Sequence, residues 1–293
     1  MPDWPAIADC LQQNGLSTRQ FRTPTPVSGG DINDAWRIET NGKTLFLKTG
    51  PTTAADMFAA EAEGLAEIAA ANAVRVPAVI ACGETARDAF IALEWIELSA
   101  PTAASDAMLG TQLAAMHRVT AKRFGWKRNN TIGSTPQMNA WSASWPDFYR
   151  EQRLGYQLRL AASNGCSGKI TSLGEQLVQS LDALFDNYEP VPSLLHGDLW
   201  GGNRASAAGE PVIFDPAVYY GDRESDLAMT QLFGRFSSDF YSAYESAWPT
   251  APGYSERVPL YQLYHLLNHL NLFGGSYESS VERALGSLCR VCR

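Results

Sequence analysis

Long apolar runs are the first thing that this chain of 293 residues lacks. No stretch approaches the roughly 20 apolar residues that a membrane-spanning helix requires. The N-terminal sequence, Met1-Pro2-Asp3-Trp4, has no basic segment followed by an apolar one, so it does not resemble a secretory signal. We therefore expect a cytoplasmic protein that has no membrane partner.

Cysteine is also scarce. The chain has five, in an odd and scattered set: Cys10, Cys82, Cys166, Cys289 and Cys292. This usage is typical of reduced thiols rather than of a disulfide framework. Cys289 and Cys292 have the C-x-x-C spacing, but a zinc site needs two further ligands, so we interpret them as incidental thiols on a C-terminal helix. His265 and His269 lie four residues apart without a Glu between them, and we expect packing or polar contacts there rather than a metal.

Positive charge is neither abundant nor concentrated. Lys and Arg number 23 against 31 Asp and Glu, which gives a net charge of −8 at pH 7. A nucleic-acid-binding surface needs a stripe of basic residues to displace counterions from phosphates, and the sequence has none. The hydrophobic fraction of 45% and the length favour one large or two coupled globular domains. The sequence leaves the oligomeric state open.

What is present is a pair of polar segments about two-thirds of the way along the chain. The first is the run from His196 to Asn203, which reads HGDLWGGN, and the second ends an apolar stretch with Asp215. An Asp five residues before an Asn, followed by a strand that ends in a second Asp, is the layout of a kinase catalytic loop. In that chemistry Asp198 accepts the proton of an attacking hydroxyl, while Asn203 and Asp215 hold magnesium ions, which prefer oxygen ligands.

The alternative interpretation of these segments is a pair of turns, because short runs of Gly, Asp and Asn mark turns far more often than active sites. Either segment alone leaves that interpretation open. The two together, in this order, predict a phosphotransferase.

The N-terminal third predicts a nucleotide-binding sheet. Two strands, residues 35–40 and 43–48, flank Asn41-Gly42, which is a strong hairpin signal. Upstream, Gly29 and Gly30 lie in a turn between strands and can bring bare backbone N–H groups onto phosphates, although two glycines in a hairpin loop usually mean only a tight turn. The sequence does not decide whether Asp31 in this turn contacts phosphate or solvent.

Lys48 and Glu61 predict an ion pair between this sheet and the next helix. Lys48 ends its strand in the sequence pattern, and strand-ending lysines are usually solvated. In the following helix, residues 55–71, Glu61 shares the core-facing stripe of Phe58, Leu65 and Ile68, whereas Glu63 and Glu67 face solvent. A carboxylate on an apolar stripe is costly unless it meets a cation, and Lys48 is the natural partner. Kinases present an ammonium to the α- and β-phosphates through such a pair.

The last strand of this region ends in Glu94, Trp95 and Ile96. In a two-lobed kinase that place is the hinge, whose backbone groups bind the adenine edge. The segment is also simply the last strand of a sheet, and both interpretations hold at once.

The rest of the chain is expected to be mostly helical. We predict helices from Ser105, from a capping box at Ser172, and over residues 226–236 and 259–273. Aromatic residues between 117 and 169 should lie mostly in the core, with some available to line an acceptor pocket: Trp126, Trp141, Trp145, Phe148 and Tyr149. Only a short loop follows Asp215, and Gly197 stands where protein kinases carry Arg, which favours a small-molecule kinase.

At this point the residues resemble a specific family, the fructosamine/ketosamine-3-kinases, which have a protein-kinase-like fold and are related to aminoglycoside phosphotransferases. The matching motifs extend from the glycine-rich turn almost to the C-terminus: 196–203, 212–217, 220–221, 233–234, 240–244, 251–253, 260–264, 268–269, 273–274 and 152–154. The Trp in the catalytic loop and the aromatic C-terminal run are more selective than the parts shared by all phosphotransferases.

The resemblance implies an α+β, two-lobed kinase-like fold. Residues 1–97 would form a small antiparallel-sheet lobe with one main helix that clamps the nucleotide, and residues 98–293 a larger, mostly helical lobe with the catalytic loop and acceptor site. It also implies ATP with Mg²⁺ and transfer to the 3-hydroxyl of a ketosamine, free or on a glycated lysine. By the same resemblance the 3-phosphate product would be unstable and detach, which would make the activity a deglycation repair.

Residue roles follow from the same resemblance. Asp198 would be the base, Asn203 and Asp215 the metal ligands, and Lys48 with Glu61 the phosphate pair. Trp200 would stack on the sugar, or else pack inward as a loop ring. The sugar stays open among ribulosamine, erythrulosamine and fructosamine.

Two alternatives remain at the level of sequence. One is another small-molecule kinase of the same fold, with an aminoglycoside, choline or homoserine-like acceptor. The other is a non-catalytic nucleotide-binding protein with a decayed kinase fold, which has little support because every expected polar residue is present.

Overall fold

The computed structural model describes residues 1–17, 21, 24–27 and 33–292. Its strands are β1 (Thr25–Pro26), β2 (Asp34–Thr40), β3 (Lys43–Pro51), β4 (Val79–Glu84), β5 (Asp88–Glu94), β6 (Asn130–Ile132), β7 (Thr135–Gln137), β8 (Ser193–Leu195), β9 (Arg204–Ala207), β10 (Glu210–Ile213) and β11 (Tyr219–Gly221). Its α-helices are α1 (Trp4–Gln13), α2 (Ala55–Ala70), α3 (Ala103–His117), α4 (Trp145–Phe148), α5 (Tyr156–Ser163), α6 (Gly168–Ser180), α7 (Glu224–Met229), α8 (Ser238–Ala247), α9 (Tyr254–Phe273) and α10 (Glu278–Val291). A π-helical segment, Tyr149–Gly155, joins α4 to α5.

The first five strands form one antiparallel sheet in the order β1-β2-β3-β5-β4. The predicted hairpin between β2 and β3 is confirmed. Its two turn residues, Asn41 and Gly42, have φ values of 44° and 77°, the left-handed region that the turn requires. Strand β3 continues to Pro51, so the prediction that Lys48 ends its strand is wrong, and Lys48 lies inside the sheet.

The alternation of side chains along β3 separates the two faces of the sheet. Leu45 and Leu47 pack on the face covered by α1, together with Ile7 and Leu11. Phe46 packs on the opposite face, which α2 covers, and Lys48 follows Phe46 by two residues and therefore lies on that face too. Helix α1 precedes the region for which secondary structure was predicted. Helix α2 confirms the predicted stripe, since Phe58, Leu65 and Ile68 are buried.

Two carboxylates of α2, Glu63 and Glu67, connect this helix to later parts of the chain. Their side chains are 39% and 28% exposed, so they are partly open to solvent as expected, but both also have partners. Glu63 accepts a hydrogen bond of 2.5 Å from Arg128 and is paired with Lys127 at 2.9 Å. Glu67 accepts a hydrogen bond of 2.8 Å from the Tyr220 hydroxyl. These partners come from the loop before β6 and from strand β11, far along the chain, so no helical periodicity could predict them.

The helical part has a single large apolar core, in which the aromatic stretch largely lies as expected. Trp126, Trp145, Phe148 and Tyr149 are buried, and Trp141 is 43% exposed. All five cysteines, each within the described residues, are free thiols. Within the same residues no helix is long and apolar enough to cross a membrane.

Three predicted helix boundaries are wrong. Helix α6 begins at Gly168 with Ser167 as its N-cap, so Ser172 lies inside the helix and does not start it. Helix α7 ends at Met229, and residues 230–236 form turns and irregular structure instead of continuing the helix. Helix α9 begins at Tyr254 and not at residue 259, so Pro259 lies inside it. In the first case a second Ser placed five residues earlier captures the free backbone N–H groups. Together the sheet and the helical part confirm the predicted α+β architecture.

Candidate active site

A cavity of about 330 Å³ lies where the sheet and α2 meet the helical part. Its lining combines polar groups with apolar ones from both parts of the chain. From the sheet and α2 come Asn33, Phe46, Lys48 and Glu61; from the helical part come Asp198, Trp200, Asn203, Asp215, His265, His269 and Phe273, among others. The residues that the sequence singled out as base, metal ligands and phosphate pair therefore share one cavity.

The loop that carries Asp198 is shaped by glycine and histidine. Gly197 has a φ of 82°, and a Cβ there would collide with the Ala217 carbonyl, so only glycine fits. The His196 ring accepts a hydrogen bond from the Asp198 N–H at Nδ1 (3.2 Å) and donates one from Nε2 to the Phe214 carbonyl (3.0 Å). This bridge ties the Asp198 loop to the strand that delivers Asp215.

Asp226, on α7, anchors the same loop through hydrogen bonds to its backbone. Its carboxylate accepts the backbone N–H groups of His196 and Gly197, both at 2.8 Å, and lies 3.2 Å from Nε2 of His117. Burial opposes ionisation of Asp226, yet the hydrogen bonds and the neighbouring imidazoles outweigh it and lower its pKa. Asp226 has no signal in the sequence, because it falls in an ordinary acidic first turn of a helix and nothing local distinguishes it.

Asp198 and Asn203 are in direct contact. The Asn203 Nδ2 donates to the Asp198 carbonyl at 2.9 Å and to its carboxylate at 3.2 Å, so Oδ1 of Asn203 is the atom left to coordinate a cation. Burial, reinforced by the charge of Asp215, raises the pKa of Asp198 to about 7. A carboxylate with such a pKa is well matched to accepting a proton near neutral pH.

Lys48 joins the sheet to the second acid. Its ammonium lies 2.7 Å from Glu61 and 2.6 Å from Asp215, so the predicted Lys48–Glu61 pair is present and has a third member. Burial alone would lower the pKa of Lys48, but the two carboxylates reverse this effect and raise it, so the side chain is a fixed cation. Asp215 itself has a φ of 57°, which turns its side chain out of the strand direction.

The donor set of this site suits magnesium. Across the described residues no three or more His, Cys, Asp or Glu side chains gather as a metal site. Asn203 and Asp215 offer oxygen donors only, and Mg²⁺ typically takes one or two protein ligands and completes its shell with phosphate oxygens and water. The residues therefore fit a magnesium–nucleotide complex and do not fit a metal cage made by protein alone.

The predicted hinge residues lie at the end of β5 and are not among the residues that line the cavity. Glu94 accepts a hydrogen bond of 2.8 Å from Arg75, and the Trp95 indole N–H donates to Glu97 at 2.7 Å. Ile96 follows them in the segment that leaves the sheet. Gly29, Gly30 and Asp31 of the glycine-rich turn lie outside the described residues.

Part of the cavity lining is aromatic, and helix α9 contributes to it. The rings of Trp200 and Phe233 meet edge to face at 6.4 Å, and Phe233 lies 4.5 Å from the ring of His269. Trp200 therefore packs against a neighbouring ring while it also lines the cavity, so the structure accommodates both interpretations of this residue. Phe273, at the end of α9, is 57% exposed at the rim.

The chain is similar to a known protein family over nearly its whole length. The family model described as fructosamine kinase matches residues 3–290. A probable ketoamine kinase of Synechocystis is 42% identical over 290 residues, which are 98% of this chain and 97% of that protein. A chloroplastic protein-ribulosamine 3-kinase of Arabidopsis thaliana is 42% identical over 291 residues, covering 98% and 88% of the two chains.

Solved structures show the same likeness. A crystal structure from Haemophilus somnus, assigned as a fructosamine-3-kinase, has a TM-score of 0.89 at 29% identity and covers 97% of both chains. Aminoglycoside phosphotransferase APH(4)-Ia has a TM-score of 0.65 at 16% identity, covering 98% of this chain and 99% of its own. The second likeness is one of fold alone, and with the first it confirms the predicted kinase-like fold.

Proposed function

The chain belongs to the fructosamine kinase family, and on that premise we propose that it transfers a phosphoryl group from ATP to the 3-hydroxyl of a ketosamine. The observation that carries the proposal is the convergence of Asp198, Asn203, Asp215 and Lys48 on one cavity. Relatives that align over nearly the whole chain are named ketoamine kinase and ribulosamine 3-kinase, which supports a ketosamine acceptor. The lobes would be residues 1–97 and 98–293, with the cavity between them.

Each polar residue has a role in this transfer. Asp198 accepts the proton as the acceptor oxygen bonds to phosphorus and the bond from phosphorus to the ADP oxygen breaks. Lys48, held by Glu61, places an ammonium against the phosphates. Asn203 and Asp215 would hold magnesium, which supplies charge neutralisation for the phosphates when it is bound. Asp226 does not touch substrate and serves as a positioning residue for the loop.

The aromatic part of the cavity gives room for the sugar and its amine. Trp200 would stack on the carbon skeleton of the ketose, since sugar C–H groups pack well on an aromatic face. Nearby His265 and His269 have lowered pKa values because of burial, so this part carries no fixed positive charge from them. An uncharged aromatic wall suits an acceptor that carries an ammonium.

The test is an acceptor screen that follows ADP formation. We expect turnover, with ATP and magnesium, on one or more of a ribulosamine, an erythrulosamine and a fructosamine, and loss by a factor of about 10²–10⁴ in Asp198→Asn. Asp186→Asn, at an exposed position away from the cavity, is the matched control and should keep full activity. Turnover confined to an aminoglycoside, choline or homoserine acceptor, or none at all with folded protein, would overturn the proposal.

A further inference from the structure

Among the residues that the structure describes, the ring of the buried His265 makes no hydrogen bond. It lies on α9, is 5% exposed and lines the cavity. The other two fully buried histidines use both ring nitrogens: His196 contacts Asp198 N and Phe214 O, and His117 contacts Tyr244 and Asp226. For the ring of His265, the polar contact found within the described residues is Nδ1 to the Asp198 carboxylate, at 3.8 Å.

That distance is too long for a direct hydrogen bond, which requires about 2.7–3.2 Å. Within the described part of the chain, Nδ1 of His269 is fully enclosed without a partner, whereas the ring nitrogens of His265 are not, so they open into the cavity, where a ligand can bond to them. The position is also not free to move. Tyr264, the preceding residue, donates a hydrogen bond of 2.8 Å to Gln137, and Asn268, one turn later, donates to the Ile132 carbonyl at 3.3 Å.

The chemistry of the two facing groups is complementary. Burial holds the pKa of His265 at about 3, so its imidazole is neutral and offers one N–H donor and one acceptor nitrogen. The Asp198 carboxylate is an acceptor. A ligand that fills the gap should therefore present a hydroxyl to Asp198 and an oxygen acceptor to His265. Two oxygens on neighbouring carbons, one a hydroxyl and one a carbonyl, meet this requirement.

We propose that His265 donates a hydrogen bond to the C2 carbonyl oxygen of the ketosamine while Asp198 accepts one from the 3-hydroxyl, so that the two residues together recognise an α-hydroxyketone. This assignment rests on the proposed function, because it places the ketosamine in this cavity. It makes His265 a specificity-determining residue for the sugar, distinct from Lys48 and Glu61, which are assigned to the phosphates.

The experiment is a double-mutant cycle between His265 and the carbonyl. The two acceptors are a ketosamine that the protein phosphorylates and an analogue with a methylene in place of the C2 carbonyl. In the unmodified protein, kcat/KM for the analogue should be about tenfold or more below that for the ketosamine, which is the effect expected from the loss of one good hydrogen bond. In His265→Leu this difference should shrink to within about twofold, mostly through KM. His265→Gln, whose amide can donate, should restore part of it.

Controls separate a specific effect from a structural one. Gln262→Leu removes a polar side chain from the same helix but away from the cavity, and should leave the ratio of the two acceptors unchanged. The thermal shift with ATP should be the same in all variants. If His265→Leu does not fold, His265→Phe retains a ring without polar atoms and gives the same readout.

The possible outcomes distinguish a failure of the role of His265 from a failure of the proposed function. A protein that turns over ketosamines, with an acceptor ratio unchanged in folded His265→Leu, overturns the role of His265 and leaves the proposed function intact. A protein that turns over no ketosamine overturns the proposed function and the role of His265 with it.

Discussion

A single carboxylate, Asp198, is surrounded by residues that were separated by long stretches of sequence. Asn203 is its local neighbour, whereas His265 and Asp226 come from helices that follow it. Asp226 reaches the loop through two backbone N–H groups, and His265 faces the carboxylate across a gap of 3.8 Å. At the residue scale the properties of Asp198 therefore depend on distant residues as well as local ones. Burial and the charge of Asp215 together raise the pKa of Asp198 to about 7.

The low pKa of His265 makes a prediction about stability. Its folded-state pKa of about 3 lies below the ordinary value of 6.5. Between these two pH values the imidazole is therefore protonated in the unfolded chain and neutral in the folded protein. Stability is therefore lost as the pH falls from about 6.5 towards 3. Between pH 7 and pH 5 the free energy of unfolding should fall by about 2 kcal/mol more in the unmodified protein than in His265→Gln.

Urea unfolding at the two pH values measures this difference. Gln262→Leu serves as the control, because it changes no titratable group and its offset from the unmodified protein should not vary with pH. Parallel pH dependence in the unmodified protein and His265→Gln would show that His265 has the same pKa in the folded and unfolded states, against this prediction.

At the scale of elements, helices α3 and α8 pack with their backbones in close contact. Gly110 of α3 lies against the backbone of α8, and a Cβ at this position would collide with the Phe240 carbonyl and the Tyr244 N–H. Such a close approach explains a glycine inside a helix, where it otherwise costs stability relative to alanine. The contact also supports the site, since Tyr244 on α8 bonds His117, which in turn contacts Asp226.

Gly110→Ala should therefore destabilise the protein by about 1–3 kcal/mol, because the helices must separate to admit the methyl group. Gly286→Ala is the matched comparison. It lies inside α10, where a Cβ would meet only the flexible end of Arg290 at 3.9 Å, and it should stabilise by about 0.5–1 kcal/mol. Thermal or urea unfolding decides the matter: equal effects of the two substitutions would contradict the packing argument.

At the scale of the whole molecule, the cavity is formed by two parts of the chain that meet through charged groups. Lys48 in the sheet contacts Asp215 in the helical part, and Arg128 and Lys127 contact Glu63 of α2. If the nucleotide binds between the two parts as proposed, it should stabilise both, and magnesium should add to this only if Asp215 and Asn203 hold it. The whole-molecule property to measure is thus the ligand-dependent melting temperature.

We expect ATP with magnesium to raise the melting temperature more than ATP with EDTA does. At a ligand concentration of 100 times Kd, binding adds about 2.7 kcal/mol to the free energy of unfolding. Asp215→Asn should remove the magnesium-dependent part of the shift, because a neutral amide is a much weaker magnesium ligand than a carboxylate. Asp186→Asn should keep it, and a full magnesium-dependent shift in Asp215→Asn would contradict the assignment of Asp215 as a ligand.

Sequence by itself determined those features that depend on local periodicity and spacing. The hairpin at Asn41-Gly42 follows from turn chemistry, and the Lys48–Glu61 pair follows from a strand of period two beside a helix of period 3.6. The loop from His196 to Asn203 was recognisable because its residues are neighbours in the chain. The start of α6 was misplaced, since two serines compete for the same capping role.

Only the tertiary structure decided which distant side chains surround that loop. Asp226, His265 and Arg128 have no local pattern that marks them, because their partners lie tens of residues away and their positions depend on how helices pack. The third contact of Lys48, with Asp215, is of the same kind. Hydrogen bonds and ion pairs act over a few ångströms in space, so a chain reveals them in its sequence only where folding keeps the partners close along the backbone.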